Sequence, residues 1–202
     1  MMQFIVLEGI DGCGKGTQAK LLLDKLKDSG KDAVLTVEPT KGPVGRLIRE
    51  HMTNPFLDDE SLALLFATDR MEHLQKEVRP AIESGKVVVS DRYVYSSIAY
   101  QGQTVDIDWV GEINKYADRP DIVIILDLDP KISEKRMRDR DEDMEIFEED
   151  RDFQAGCRRA FLGFEKGRNL PDSLKTRFFV IDASRGISEI EMDIWDIVSE
   201  NL

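Results

Sequence analysis

Cysteine and histidine are scarce in this chain, with two residues of each. Cys13 and Cys157 are too few and too isolated for a disulfide framework or a zinc site, so a reducing interior is expected. His51 and His73, like Trp109 and Trp195, show no partner in the sequence and read as structural residues. No apolar run approaches the ~20 residues that a membrane-spanning helix needs. Met1-Met2-Gln3-Phe4 enters the first apolar run without a charged leader and long apolar segment, so no secretion signal is expected and the protein is assigned to the cytoplasm. Positive charge is in deficit: 28 basic against 40 acidic side chains give a net charge of −12. That balance argues against a nucleic acid polymer or an anionic membrane as main partner. An anionic small ligand would need a local cluster of Lys and Arg together with a metal ion. No repeat, low-complexity tract or linker divides the 202 residues, which fit one domain spanning 1–202.

What is present begins with Gly9-Ile10-Asp11-Gly12-Cys13-Gly14-Lys15-Gly16-Thr17. Phe4 to Leu7 before it is an apolar run of buried-strand type, and Ala19, Leu22, Leu23 and Leu26 after it recur at helical spacing. Gly-x-x-x-x-Gly-Lys in a strand-to-helix turn is a phosphate cradle: backbone N–H groups and the helix N-terminus face the anion, and Lys15 adds positive charge. Gly9, Asp11, Gly12, Cys13, Gly14, Lys15, Gly16 and Thr17 are thus assigned to the phosphates of a nucleotide. One position departs, since Gly16 stands where Ser or Thr usually holds magnesium, and the hydroxyl comes at Thr17. Cys13 is either a reactive thiol beside helix N–H dipoles or a small residue filling the loop.

Four more apolar runs read as strands: Ala33 to Val37, Val87 to Val89, Ile122 to Leu126 and Phe178 to Ile181. Helical stretches between them imply an α/β fold, a doubly wound five-stranded parallel sheet with helices on both faces. Such sheets bind ligands beyond the carboxyl ends of their strands, where Glu8, Glu38, Asp91, Asp127 and Asp182 fall. Glu38-Pro39-Thr40-Lys41-Gly42-Pro43 is a rigid turn, with Arg46 and Arg49 nearby. Val44, Leu47, Ile48, His51 and Met52 then mark one helix face. Asp58 or Asp59 caps the next helix, on which Leu62, Phe66 and Arg70 share a face. Two readings fit Phe66 and Arg70: a nucleobase platform, or a core phenylalanine and a surface arginine. Pro80 interrupts the apolar set that follows.

Asp91 closes the third strand, where a carboxylate organises magnesium or caps the next helix. Ser97, Tyr100 and Gln101 share a helix face able to hydrogen-bond a small ligand. Asp129-Pro130 opens a helix that runs into Arg136, Arg138 and Arg140 and then an acidic stretch. That segment reads as a solvated loop or as a mobile lid, at about 138–150, whose arginines close over phosphates and exclude water. Phe153, Cys157, Ala160, Phe161 and Phe164 make an apolar helical stripe, core or subunit contact. The Asp182-Ala183-Ser184-Arg185-Gly186 loop lies at the phosphate-loop edge, placing Ala183 near an adenine.

Four stretches together resemble the thymidylate kinases: Leu7 to Gln18, Glu38 to Arg49, Phe66 to Arg70, and above all Asp91-Arg92-Tyr93-Val94-Tyr95-Ser96-Ser97-Ile98-Ala99-Tyr100-Gln101-Gly102. The resemblance implies a P-loop NTPase fold and transfer of the γ-phosphoryl group of ATP to the 5′-phosphate of dTMP, with Mg2+. It implies that Asp11 holds the deoxyribose 3′-hydroxyl, that Phe66 and Arg70 meet the thymine, that Arg92 reaches the acceptor phosphate, and that Tyr100 crowds the 2′ position. Lys15, Arg92, Asp91, Arg136 and Arg140 are its catalytic set. Asp11, Glu38, Arg46, Phe66, Arg70, Arg92, Ser97, Tyr100 and Gln101 face the acceptor, Arg136 and Ala183 face ATP, and Thr17 and Asp91 face the metal. A lid arginine suits a family member with Cys13, not arginine, in the loop, and a homodimer is expected. Val37 replaces an arginine that many members place before the Glu-Pro pair, so Lys41, Arg46 or Arg92 carries that charge. Two other functions compete: a kinase for another pyrimidine nucleotide or nucleoside, and a regulatory nucleotide-binding NTPase.

Overall fold

The computed structural model describes residues 2–139, 151–168 and 170–202. β1 (Phe4–Glu8), β2 (Ala33–Val37), β3 (Val87–Asp91), β4 (Ile122–Asp127) and β5 (Arg177–Asp182) form one sheet in the order β2-β3-β1-β4-β5. Every pairing is parallel. The order reverses direction at β1, so the loop that follows it opens at the topological switch point. Register aligns the strand ends: Leu7 and Val37 both sit opposite Asp91, and Asp127 opposite Asp182. The acidic residues read from the sequence therefore meet along one edge.

Ile5, Val6, Leu7, Val88, Val89, Val123 and Ile124 have no exposed surface. Parallel strands covered on both faces need such continuous apolar runs, and each aliphatic side chain contributes about 1.5–3 kcal/mol on burial. That core leaves the polar strand ends to be positioned. α1 (Lys15–Asp28) packs on β1, β2 and β3 and against α9 (Ile187–Ser199), which lies along β5. α5 (Val94–Tyr100) and α8 (Arg151–Phe164) pack together, with α8 on β4. Cys157, Ala160, Phe161 and Phe164 of α8 are buried, and Phe164 and Phe178 enclose Tyr95, with Tyr95 and Phe178 5.2 Å apart. The stripe is core.

α2 (Pro43–Thr53) and α3 (Asp59–His73) pair over a small core of Ile48, Met52 and Leu62, with Val44, Leu65 and Phe66 against it. Asp58 caps α3, accepting from Ser61 N at 2.8 Å. Leu47 departs from the expected stripe: it is exposed, and Gly45 takes its place on the buried face. A Cβ at Gly45 would lie 1.9 Å from the Thr40 carbonyl oxygen, so only glycine lets the 38–42 turn pass that close. α3 runs through a π-helical stretch, Leu74–Val78, into α4 (Arg79–Glu83), at the point where Pro80 withholds an N–H from the ladder. α6 (Ile107–Ile113) follows α5, and α7 (Pro130–Arg138) opens with Asp129 accepting from Lys131 N at 2.8 Å. Residues 140–150 of the expected lid, Arg140 among them, lie outside the described residues.

Candidate active site

The phosphate loop turns on glycines. Gly9 has φ 141°, and a Cβ there would strike Leu126 O at 2.6 Å, so the chain leaves β1 hard against β4. Gly14, at φ 98°, caps α1 without a side-chain bond. The N–H groups of the first turn of α1 lack helical partners and face the loop's concave side, a ready anion site. Lys15 is buried, and its Nζ donates to Gly9 O at 2.8 Å and Ile10 O at 2.9 Å. Cys13 is buried too, and burial pushes its thiol up from the ordinary value despite the Lys15 ammonium. Both the burial and the raised thiol favour Cys13 as a small residue that fills the loop.

A cavity of about 490 Å³ opens beside this loop, within the range of small-ligand sites. Phe66, Glu38, Ser97, Tyr100 and Gln101 line it, together with Asp11 and Arg92. Arg70 stands behind that wall, only 1% exposed, which overturns the surface-arginine alternative. Its guanidinium donates through Nε to Glu38 Oε2 at 3.0 Å and through Nη2 to Ser97 Oγ at 3.0 Å. Asn114 Oδ1 accepts from Nη1. Arg46 is exposed, donates to Lys41 O at 3.2 Å and is not in the cavity wall. Arg49 and Met52, farther along α2, line it instead, with Lys41 and Val37.

Asp11 joins the loop to the cavity. Arg92 pairs with its Oδ1, Tyr100 Oη donates to Oδ2 at 2.8 Å, and Gln154 Nε2 of α8 donates to Oδ2 at 3.0 Å. Burial alone would raise the Asp11 carboxyl; Arg92, Lys15, Tyr100 and Gln154 offset it and hold the group down at about 2. Arg92 itself sits at φ 68° in the left-handed region, a conformation that costs a non-glycine residue on the order of 1 kcal/mol and collects at functional sites. Its backbone is fixed there by N–H donation to Leu7 O at 3.0 Å and by Ser90 Oγ donating to its carbonyl at 2.7 Å. Beneath, the fully buried Glu8 accepts from Tyr93 N at 2.9 Å, Ser96 N at 3.1 Å and Ser96 Oγ at 2.7 Å. Burial pushes Glu8 up to about 7, against those donors and the charges of Arg92 and Lys15.

A family model described as thymidylate kinase matches residues 7–194. The chain belongs to the thymidylate kinase family. It is similar to a probable thymidylate kinase of Pyrococcus abyssi, 42% identical over 98% of this chain and 97% of the relative. Probable thymidylate kinases of Thermococcus onnurineus and Methanococcus maripaludis are 39% and 42% identical, over 98% and 100% of this chain and 98% of each relative.

Within this thymidylate kinase fold the remaining assigned and described residues fall at strand ends and on helices. Asp91 is half-buried at the end of β3, and a Cβ on Gly16 would lie 3.1 Å from its Oδ2. Gly16 thus lets the carboxylate stand against the first turn of α1. Gly16, Lys20, Thr40, Lys41 and Asp91 border a second cavity of about 450 Å³. Thr17 is exposed on the next position of α1. Ala183 is buried after β5, its N–H donating to Asp127 O at 2.8 Å. Arg136 is half-buried in the last turn of α7, whereas Arg138 pairs with Glu134. Glu8, Gln154 and Met52 were not foreseen as site residues.

Proposed function

We infer that the chain transfers the γ-phosphoryl group of ATP to the 5′-phosphate of dTMP, giving dTDP and ADP for DNA precursor synthesis. The observation that carries this is the sharing of Asp11 between the phosphate loop and the adjoining cavity. Two anionic substrates are thereby brought to one joint. The acceptor phosphate has a second pKa of about 6 and is already ionised at neutral pH, so no general base is required. Rate then comes from alignment and from positive charge placed where the transferring group passes.

Lys15 and the loop N–H groups take the donor phosphates, with Arg136 and Ala183 toward the nucleotide. Arg92, Lys41 and Arg49 bring positive charge to the acceptor phosphate. Phe66 offers a face to the base, Ser97 and Gln101 offer hydrogen bonds, and Tyr100 fills the space beside the sugar. Among the described residues no group of three or more His, Cys, Asp or Glu surrounds a metal position. A single carboxylate with a hydroxyl and substrate phosphates still suits magnesium, which keeps much of its water. Asp91, held against Gly16, and Thr17 are the residues that would hold it; when bound it neutralises charge on the phosphates.

A homodimer is also proposed, with Leu64 and Met71 of α3 both exposed as candidate contact residues; light scattering tests it. The free, buried Cys13 and Cys157 suit the cytoplasm. Among the described residues no helix is long and apolar enough to cross a membrane. The function is tested by following ADP formation with ATP in the presence and absence of dTMP. ADP appears mainly with dTMP if the chain is this kinase; an equal rate without it would instead mark a slow hydrolase.

A further inference from the structure

His73 ends α3 with its side chain wholly buried. Its Nδ1 lies 2.9 Å from Glu38 Oε1 and its Nε2 lies 2.6 Å from Thr36 Oγ1. The Thr36 hydroxyl has one proton, which it donates to Glu77 Oε2 at 2.8 Å. Its oxygen therefore accepts at Nε2. Glu38, whose Oε2 is paired with Arg70 at 2.8 Å, is a carboxylate with nothing to donate, so Nδ1 donates as well. Counting protons leaves one on each ring nitrogen. We infer that His73 is an imidazolium clamped between Glu38 and Thr36, and that it is a positioning residue for the acceptor cavity.

The clamp acts through Glu38. With His73 on one carboxylate oxygen and Arg70 on the other, Glu38 has a single orientation in the cavity wall. Arg70, held in turn by Ser97, cannot swing toward or away from the cavity without breaking that pair. The helix departs from α geometry immediately after His73, in the π-helical Leu74–Val78 stretch that carries Glu77. π turns are rare and collect at functional positions. Glu77 is 55% exposed, so the chain Glu77, Thr36, His73, Glu38 runs from solvent to the acceptor wall. The charged and titratable groups facing the ring are Glu38, Glu77 and Arg70; the Tyr93 ring lies against Arg70 at 5.5 Å.

The protonation state stands on hydrogen-bond geometry alone, whereas the acceptor role rests on the proposed function. Nitrogen-15 NMR of the intact protein reads the first directly, and with two histidines in the chain a His51 variant assigns the signals. At pH 7 both ring nitrogens of His73 are expected to carry protons; a neutral tautomer overturns the inference. His73→Gln is expected to raise the KM for dTMP about tenfold, with kcat and the KM for ATP within twofold. Glu77→Gln loosens the same clamp from its outer end and is expected to raise the KM for dTMP by a smaller factor, again with kcat unchanged. If His73→Gln does not fold, the NMR and Glu77→Gln results decide. An unchanged KM for dTMP in the variants, or a fall confined to kcat, overturns the positioning role. Absence of turnover with dTMP beside a protonated His73 would sink the proposed function and leave the clamp standing.

Discussion

The Tyr100 hydroxyl donates to Asp11 Oδ2 at 2.8 Å, tying the acceptor cavity to the phosphate loop. A hydrogen bond to a charged group is worth about 1.5–3 kcal/mol. Tyr100→Phe is therefore expected to lower kcat/KM for dTMP about 10- to 100-fold. The ring keeps its contacts with Phe153 and Phe161, at 6.0 and 6.3 Å, so the melting temperature should hardly move. Unchanged steady-state kinetics would show that the bond does not carry over into the working complex.

Lys15→Ala and Arg92→Ala are each expected to lower kcat by orders of magnitude in a folded protein. Circular dichroism checks the fold and single-turnover kinetics the chemistry. Near-normal turnover in either variant would remove the role assigned to that residue.

Gly16 answers to Asp91. A methyl group at position 16 would stand 3.1 Å from Asp91 Oδ2 and push the carboxylate away by a few tenths of an ångström. Gly16→Ala should raise the magnesium concentration needed for half-maximal activity severalfold while ATP-independent stability is kept. A magnesium titration superimposable on wild type would uncouple the two residues.

Glu8 gives stability a pH dependence of known sign. Burial raises its carboxyl from 4.5 to about 7 in the folded chain, so the folded state binds the extra proton. Its contribution is complete below pH 4.5 and lost as pH rises toward 7, on the order of 3 kcal/mol in all. The stability of wild type relative to Glu8→Gln, from urea unfolding at pH 5, 6 and 7, should fall across that window. A constant difference would mean that the three donors around Glu8, not burial, govern its ionisation.

Much of the fold was legible because parallel strands buried on both faces must be apolar runs, and all five runs became strands. Their ends were less so: β3 continues to Asp91 and β5 starts at Arg177, where backbone pairing, not hydrophobicity, extends the strand. The phosphate loop and the Ser97, Tyr100, Gln101 face were visible as local patterns. Gln154 reaches Asp11 across 143 residues of sequence and Glu8 reaches Ser96 across 88, separations for which periodicity holds no signal. Arg46 and Arg49 look equivalent in sequence. Only the Lys41 carbonyl that captures Arg46 and the Pro39 carbonyl, 2.9 Å from Arg49 Nη1, separate their fates.

The function turns on the identity of the acceptor. Comparing kcat/KM for ATP-dependent ADP release with dTMP, dUMP, dCMP, UMP, AMP and thymidine tests it most directly. Phe66 and Tyr100 in the wall of one cavity, with Arg70 held behind it, predict that dTMP is preferred and that UMP and thymidine are poor acceptors. A clear preference for any acceptor other than dTMP would overturn the assignment of this cavity to dTMP.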